Sequence, residues 1–188
     1  MKPMWCAKYQ NIMIRPIQKQ DIEFLRLWRN DKSISKYLNP LPEITKEMQE
    51  KWYNGYIDDS SIITYAIIEC DKLNRIIGSV ALYDFDMDSA HTGKIVIGDK
   101  EAKGYGLGFW GWALAIHIGF QKLGISKYKA EAHEENIASQ KTIKKLGFQK
   151  VGRHAFDPFG FETDFVLDKY DFQKLHEFLP KVELFEFV

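Results

Sequence analysis

Residues 101–120 read EAKGYGLGFWGWALAIHIGF. Gly104, Gly106 and Gly108 alternate with bulky residues, and an apolar run then continues to Phe120. Glycine within a helix costs roughly 0.5–1 kcal/mol relative to alanine. A chain that sets three of them directly before a segment fit to be a buried helix needs bare backbone at that point. The first amides of any helix lack intrahelical partners and lie at the positive end of its dipole. An anion is favoured there, and glycines clear side chains from its approach. The apolar stretch Ile95, Val96, Ile97 precedes the loop, Lys103 adds a positive charge, and SKYKAEAH follows the helix with strand-like alternation. The segment reads as strand, phosphate cradle, helix, strand, and a helical crossover makes its two strands parallel.

Gly106, Gly108 and Gly111 also satisfy G-x-G-x-x-G, with Glu131 downstream. A dinucleotide-binding sheet requires that pattern where its first strand ends, near the start of a doubly wound sheet. Here GDKEAK intervenes, and helices and a meander come first. No Gly-Lys-Ser/Thr follows, so the loop is not a Walker loop. Gly111, inside the helix, has packing of the helix on the sheet as its alternative reading.

The rest of the chain supplies the frame. IMIRP (12–16) reads as a strand that Pro16 ends or sends to an edge. DIEFLRLWRN reads as a helix that Asp21 can cap, and ITKEMQEKWYNGYI as a second that Thr45 can cap. Trp28 and Trp52 fall on faces of these helices expected in the core. NPLPE (39–43) is a loop. SIITYAIIEC, RIIGSVALYDF and HTGKIVIGD form a meander of β-branched and aromatic strands. Asn136 opens a helix that ends at Gly147 in a left-handed C-terminal position. Two last strands, near 148–156 and 161–168, flank a turn at DPFG, and KYDFQKLHEFL is a short terminal helix. The fold class is α+β: a central mixed, mostly antiparallel sheet of about seven strands with helices on both faces. Residues 1–188 form one domain, with 171–188 a C-terminal extension.

Lys plus Arg and Asp plus Glu both number 26, so the net charge is zero. That balance argues against general capture of nucleic acid or of an anionic membrane surface. Neither a CxxC motif nor a Cys/His cluster accompanies Cys6 and Cys70, so no metal is expected. No apolar leader is visible and no segment is long enough to span a bilayer, so the expected location is cytoplasmic.

ENIASQKTIKKLGF (135–148), together with IVIGDKEAKGYG and the element order, resembles the GNAT superfamily of acyl-CoA-dependent N-acetyltransferases, closest to its RimJ/RimL-like branch. The likeness runs from IRPIQKQDIEFLRLWRN to the final strands. It implies acetyl-CoA as co-substrate, with its pantetheine arm in a cleft between the fourth and fifth expected strands. The backbone of Ile95, Val96 and Ile97 would run beside that arm. The amides of Lys103, Gly104, Tyr105, Gly106, Leu107 and Gly108 would hold the pyrophosphate. Asn136 would contact pantetheine, and Ser139 would protonate the departing thiolate. Asn136 is also a good N-cap and Ser139 an ordinary first-turn residue. Three positions depart from the family pattern. Glu101 or Lys103 stands where the loop usually begins with Gln or Arg. Ile143 stands where many relatives have a tyrosine acid. Thr92 aligns with a strand glutamate found in many relatives.

The implied chemistry is direct acyl transfer to an amine, with an amide of the 95–97 strand as oxyanion donor. Glu131 and His133 share one face of KYKAEAH and are the candidate bases, unless that face is simply a solvated edge. His117 reads as a hydrogen-bonded packing residue. Trp28, Arg29 and Tyr83 are the candidate acceptor-binding residues, and a similar Trp-Arg-Asn stretch occurs in relatives that acetylate an amino sugar nucleotide. The acceptor is a small-molecule amine or a protein N-terminus. A CoA- or nucleotide-binding module without turnover is the alternative. Edge strands and the apolar VELFEFV can form a homodimer contact.

Overall fold

In a computed structural model, which describes residues 4–38, 42–156, 158 and 160–187, the chain forms a nine-stranded sheet flanked by helices. Most of the NPLPE loop and half of the DPFG turn lie outside the described residues. The strands are β1 (Trp5–Tyr9), β2 (Ile12–Pro16), β3 (Ile62–Glu69), β4 (Arg75–Asp86), β5 (Ser89–Ile97), β6 (Lys127–His133), β7 (Gln149–Ala155), β8 (Phe161–Asp168) and β9 (Glu183–Glu186). The helices are α1 (Ile22–Asn30), α2 (Lys32–Ser35), α3 (Lys46–Asp58), α4 (Leu107–Lys122), α5 (Ile137–Lys145) and α6 (Lys169–Leu175). The sheet order is β7-β8-β6-β5-β4-β3-β2-β1-β9. Every pair is antiparallel except β5–β6.

The expected seven strands become nine because both chain ends join the sheet. β1 forms a hairpin with β2 through Gln10, held at φ 53°. β9 then pairs with β1, setting Lys8 opposite Glu183 and Cys6 opposite Phe185. One edge of VELFEFV is therefore occupied within its own chain. The extension is part of the core, since Phe172 and Leu179 are buried in it.

α4 lies against the sheet on the larger apolar core. Trp112, Leu114 and Ile116 are fully buried, and the Trp112 indole donates to Thr92 Oγ1 at 2.9 Å. Two helix glycines permit this closeness. A Cβ on Gly111 would lie 2.5 Å from Ile67 Cδ1, and one on Gly119 would collide with the Tyr128 hydroxyl. The opposite face carries α1 and α3 over a smaller core of Ile17, Trp28, Tyr56, Ala66 and Ile76. Thr45 Oγ1 accepts from Met48 N and caps α3. Asp21 does not cap α1. It is buried in a bidentate pair with Arg15, at 2.6 and 2.9 Å. Trp52 is 41% exposed rather than core. The His117 ring is buried, yet among the described residues its Nδ1 has no hydrogen-bond partner.

Candidate active site

β5 and β6 run parallel and pair only at Ser89–Lys127, Ala90–Tyr128 and His91–Lys129. Beyond His91 the strands part, while β5 stays paired to β4 and β6 stays paired to β8 as far as His133. Gly98 N donates to Ile77 O on β4 at 3.0 Å. Amides alternate in direction along a strand, so those of Ile97 and Ile95 point into the gap. The side chains of Ile95 and Ile97 pack toward α4, and Val96 packs toward α1. A Cβ on Gly108 would sit 3.3 Å from Ile97 Cγ1, so this glycine brings the helix start close to the gap wall.

The loop at the mouth of the gap has the form of an anion cradle. Gly104 and Gly106 have φ of +87° and +71°, values that side chains disfavour. A Cβ on either would meet nothing within 4 Å, so neither glycine is required by packing within the chain. Gly106 is the N-cap of α4 and offers no side chain to its first turn. Lys103 and Tyr105 are exposed beside it. The Lys103 amide donates to Lys100 O at 3.4 Å, so of the expected set it is not available. A helix N-terminus, the glycine amides and room for the ligand fit the diphosphate of acetyl-CoA.

Arg75, which the sequence reading passed over, fixes this loop. It donates to Asp99 at 2.7 Å and to Glu101 at 2.8 Å. The guanidinium holds the Asp99 carboxyl below its ordinary range. Glu101 is thereby turned to Arg75 and paired with it.

Across the gap, α5 begins at Asn136, whose Oδ1 accepts from Ser139 N at 3.1 Å. Capping therefore uses the oxygen of Asn136. Among the described residues, its Nδ2 and the Ser139 hydroxyl make no hydrogen bond within the chain. Ile143, in the place of the absent tyrosine, is fully buried. Thr92 is also buried and bonds to Trp112 and Ala81, so it faces α4 rather than an acceptor.

The opposite face of β6 and β8 is polar. Glu131 stands opposite Asp164, and His133 opposite Glu162. Burial, then the nearby Glu131, pushes the Glu162 carboxyl above its usual range. His154 Nδ1 lies 2.8 Å from Asp164. The His133 ring stacks near Tyr37 at 5.3 Å, and its Nδ1 accepts from Glu135 N. Tyr83 is half-buried between the His91 ring at 5.6 Å and the Lys94 ammonium at 4.1 Å. Burial lowers the basicity of both Lys94 and Arg29, and Arg29 adds to the effect at Lys94. Trp28 is 9% exposed and packs its indole on Gly98, where a Cβ would fall within 2.1 Å of the ring. Asn30 is engaged with both backbone groups of Ile44. Of the Trp-Arg-Asn stretch, two side chains therefore serve the scaffold. Burial pushes the Cys6 thiol up to about 11.

A mixed sheet that parts between two parallel strands, with a glycine cradle at the mouth of the gap, defines the architecture of an acyltransferase domain. Residues 11–149 match the family described as "Acetyltransferase (GNAT) domain". The chain belongs to that family and is a GNAT N-acetyltransferase. It is 28% identical over 149 residues to an uncharacterised N-acetyltransferase, p20, of Bacillus licheniformis, covering 76% of this chain and 82% of that one. It is 20% identical over 153 residues to the alpha/beta-tubulin-N-acetyltransferase 9 of Mus musculus, covering 76% of this chain but only 63% of the mouse protein. In fold it is similar to the spermidine N-acetyltransferase of Vibrio cholerae, solved with CoA and spermine. The TM-score is 0.78 at 18% identity, over 87% of this chain and 98% of that one. No helix among the described residues is long and apolar enough to cross a membrane.

Proposed function

We propose that the chain transfers an acetyl group from acetyl-CoA directly to a primary amine, as a RimJ/RimL-like enzyme of the cytoplasm. One observation carries the reading. The β5–β6 gap opens beside strand amides that have no strand to bond, and it ends at the open glycine cradle. The bound co-substrate supplies a thioester carbonyl. The amides of Ile95 and Ile97 are the donors available to a developing oxyanion on the gap side. The Gly104–Gly108 amides hold the diphosphate, the Lys103 amide being turned to Lys100 O; Asn136 Nδ2 contacts the pantetheine arm, and Ser139 hands its proton to the departing thiolate.

The acceptor arrives on the other face. Glu131, Glu162 and Asp164 favour a cationic amine there, whether a small molecule or the N-terminus of a protein. The spermine-bound fold neighbour and the tubulin-acting relative are examples of these two kinds. An amino sugar nucleotide is less well served, because Trp28 is committed to Gly98. Release of CoA thiol from acetyl-CoA, followed across a panel of polyamines, amino sugars and peptide N-termini, tests the proposal. Acceleration by one amine class is expected. Binding of acetyl-CoA with no acceleration by any amine would leave a binding module instead.

A further inference from the structure

We propose that His91, oriented by Glu131, takes the proton from the acceptor amine. This rests on the acetyltransfer reading above and deepens it. His91 is the last β5 residue paired to β6, so it stands at the apex of the gap, where the two strands part. It shares a face with its register partner Tyr83 and lies beside Glu131, on the face assigned above to the acceptor. The Tyr83 hydroxyl in turn lies near Gly93, 3.6 Å from where a Cβ would be, and so reaches the backbone two residues beyond the apex.

The chemistry selects His91 over His133. A neutral imidazole has one acceptor nitrogen. In His133 that nitrogen is Nδ1, already occupied by the Glu135 amide. In His91, Nδ1 faces Glu131 Oε1 at 3.9 Å. A carboxylate on that side keeps the proton on Nδ1 and leaves the Nε2 lone pair to act as the base. The separation is longer than a hydrogen bond, as is common before substrate binds. Glu131 is then a positioning residue, supplied by the neighbouring strand in place of the strand glutamate that Thr92 cannot provide.

The step balances. The ammonium gives one proton to His91 Nε2, and the free amine forms the new C–N bond as the C–S bond breaks. The sulfur leaves with the electron pair and takes a proton from Ser139. The amine nitrogen loses its second proton, which replaces that of Ser139 through solvent, and His91 returns its proton to water. Charged or titratable groups around His91 are Tyr83 from β4, Lys94 on β5, Lys129 and Glu131 from β6, and Glu162 and Asp164 from β8.

The test is the pH profile of kcat for the wild type, His91→Ala and Glu131→Gln with the best amine found. Acetyl-CoA affinity and melting temperature serve as controls for folding. His91→Ala is expected to lower kcat by roughly 10²–10⁴-fold, to lose the acidic limb, and to recover rate with added imidazole. Glu131→Gln is expected to lower kcat less and to displace that limb. A folded His91→Ala enzyme that keeps the wild-type limb, or gains nothing from imidazole, overturns the proposal. A wild type that no amine accelerates overturns the acetyltransfer reading itself, so the two failures are distinct.

Discussion

Gly106→Val separates ligand binding from packing at the loop. The residue sits at φ +71° with open space where a Cβ would go. A non-glycine residue in that region costs roughly 1–2 kcal/mol, and no steric collision within the chain adds to it. For a domain of this size about 1 kcal/mol corresponds to roughly 2–4 °C in melting temperature, so a fall of about 2–8 °C is expected and the fold persists. Binding suffers far more. The valine fills the space in which a diphosphate would accept from bare amides. Loss of two charge-assisted hydrogen bonds, roughly 1.5–3 kcal/mol each, weakens CoA at least about a hundredfold at about 1.4 kcal/mol per decade. Gly111→Ala is the mirror case. Its Cβ would lie 2.5 Å from Ile67 Cδ1, at a helix–sheet contact on the core side of α4. Overpacking of about 1–3 kcal/mol is expected, with CoA affinity unchanged among folded molecules. Thermal melts and calorimetric titration with CoA read both quantities on both variants. A folded Gly106→Val protein that binds CoA like the wild type would refute the cradle.

Three further outcomes follow from the structure. Arg75→Ala exposes the carboxylates of Asp99 and Glu101 beside the anion site, so CoA affinity should fall several-fold and the deficit should change with salt; the same titration at two ionic strengths checks it. Ser139→Ala should lower kcat more than it weakens acetyl-CoA, and equal kinetics would reduce Ser139 to a first-turn serine. Burial pushes the His117 ring down to about 4 from 6.5, so its protonation favours the unfolded chain. Stability is intact above pH 6.5 and is lost as pH falls from there toward 4, by at most about 3 kcal/mol at 1.36 kcal/mol per unit. Urea melts at pH 7.5 and 4.5 should show that loss, and His117→Gln should reduce it.

The open glycine loop and the helix after it were legible because both are local. Positive φ, bare amides and an apolar helix leave their mark within twenty consecutive residues. The outer strands were not. WCAKY lacks clean alternation, its turn is built on Gln10 rather than glycine, and its pairing with Glu183–Glu186 spans almost the whole chain. Arg75 was missed for a similar reason, since its two carboxylates lie across the meander in the following loop.

His91 was hidden by a reversal of parity. Strict alternation along β5 would group His91 with Ile95 and Ile97 on one face. The structure contains a bulge there, with Lys94 at φ +49° and the β4 register slipping between Ser79 and Ala81. One inserted residue exchanges the faces of everything beyond it. Thr92 therefore shares α4's side with Ile95 and Ile97, while His91 shares the acceptor side with Val96. A carboxylate at position 92 would be buried beneath Trp112. The proposed base on the opposite face is the residue before it, and its supporting carboxylate comes from β6. Restoring the family pattern by Thr92→Glu should thus destabilise the protein rather than activate it, since an unpaired buried charge replaces the hydrogen bond to Trp112. A Thr92→Glu variant that melts like the wild type and turns over faster would show that residue 92 reaches the acceptor face, and the assignment of faces along β5 would be wrong.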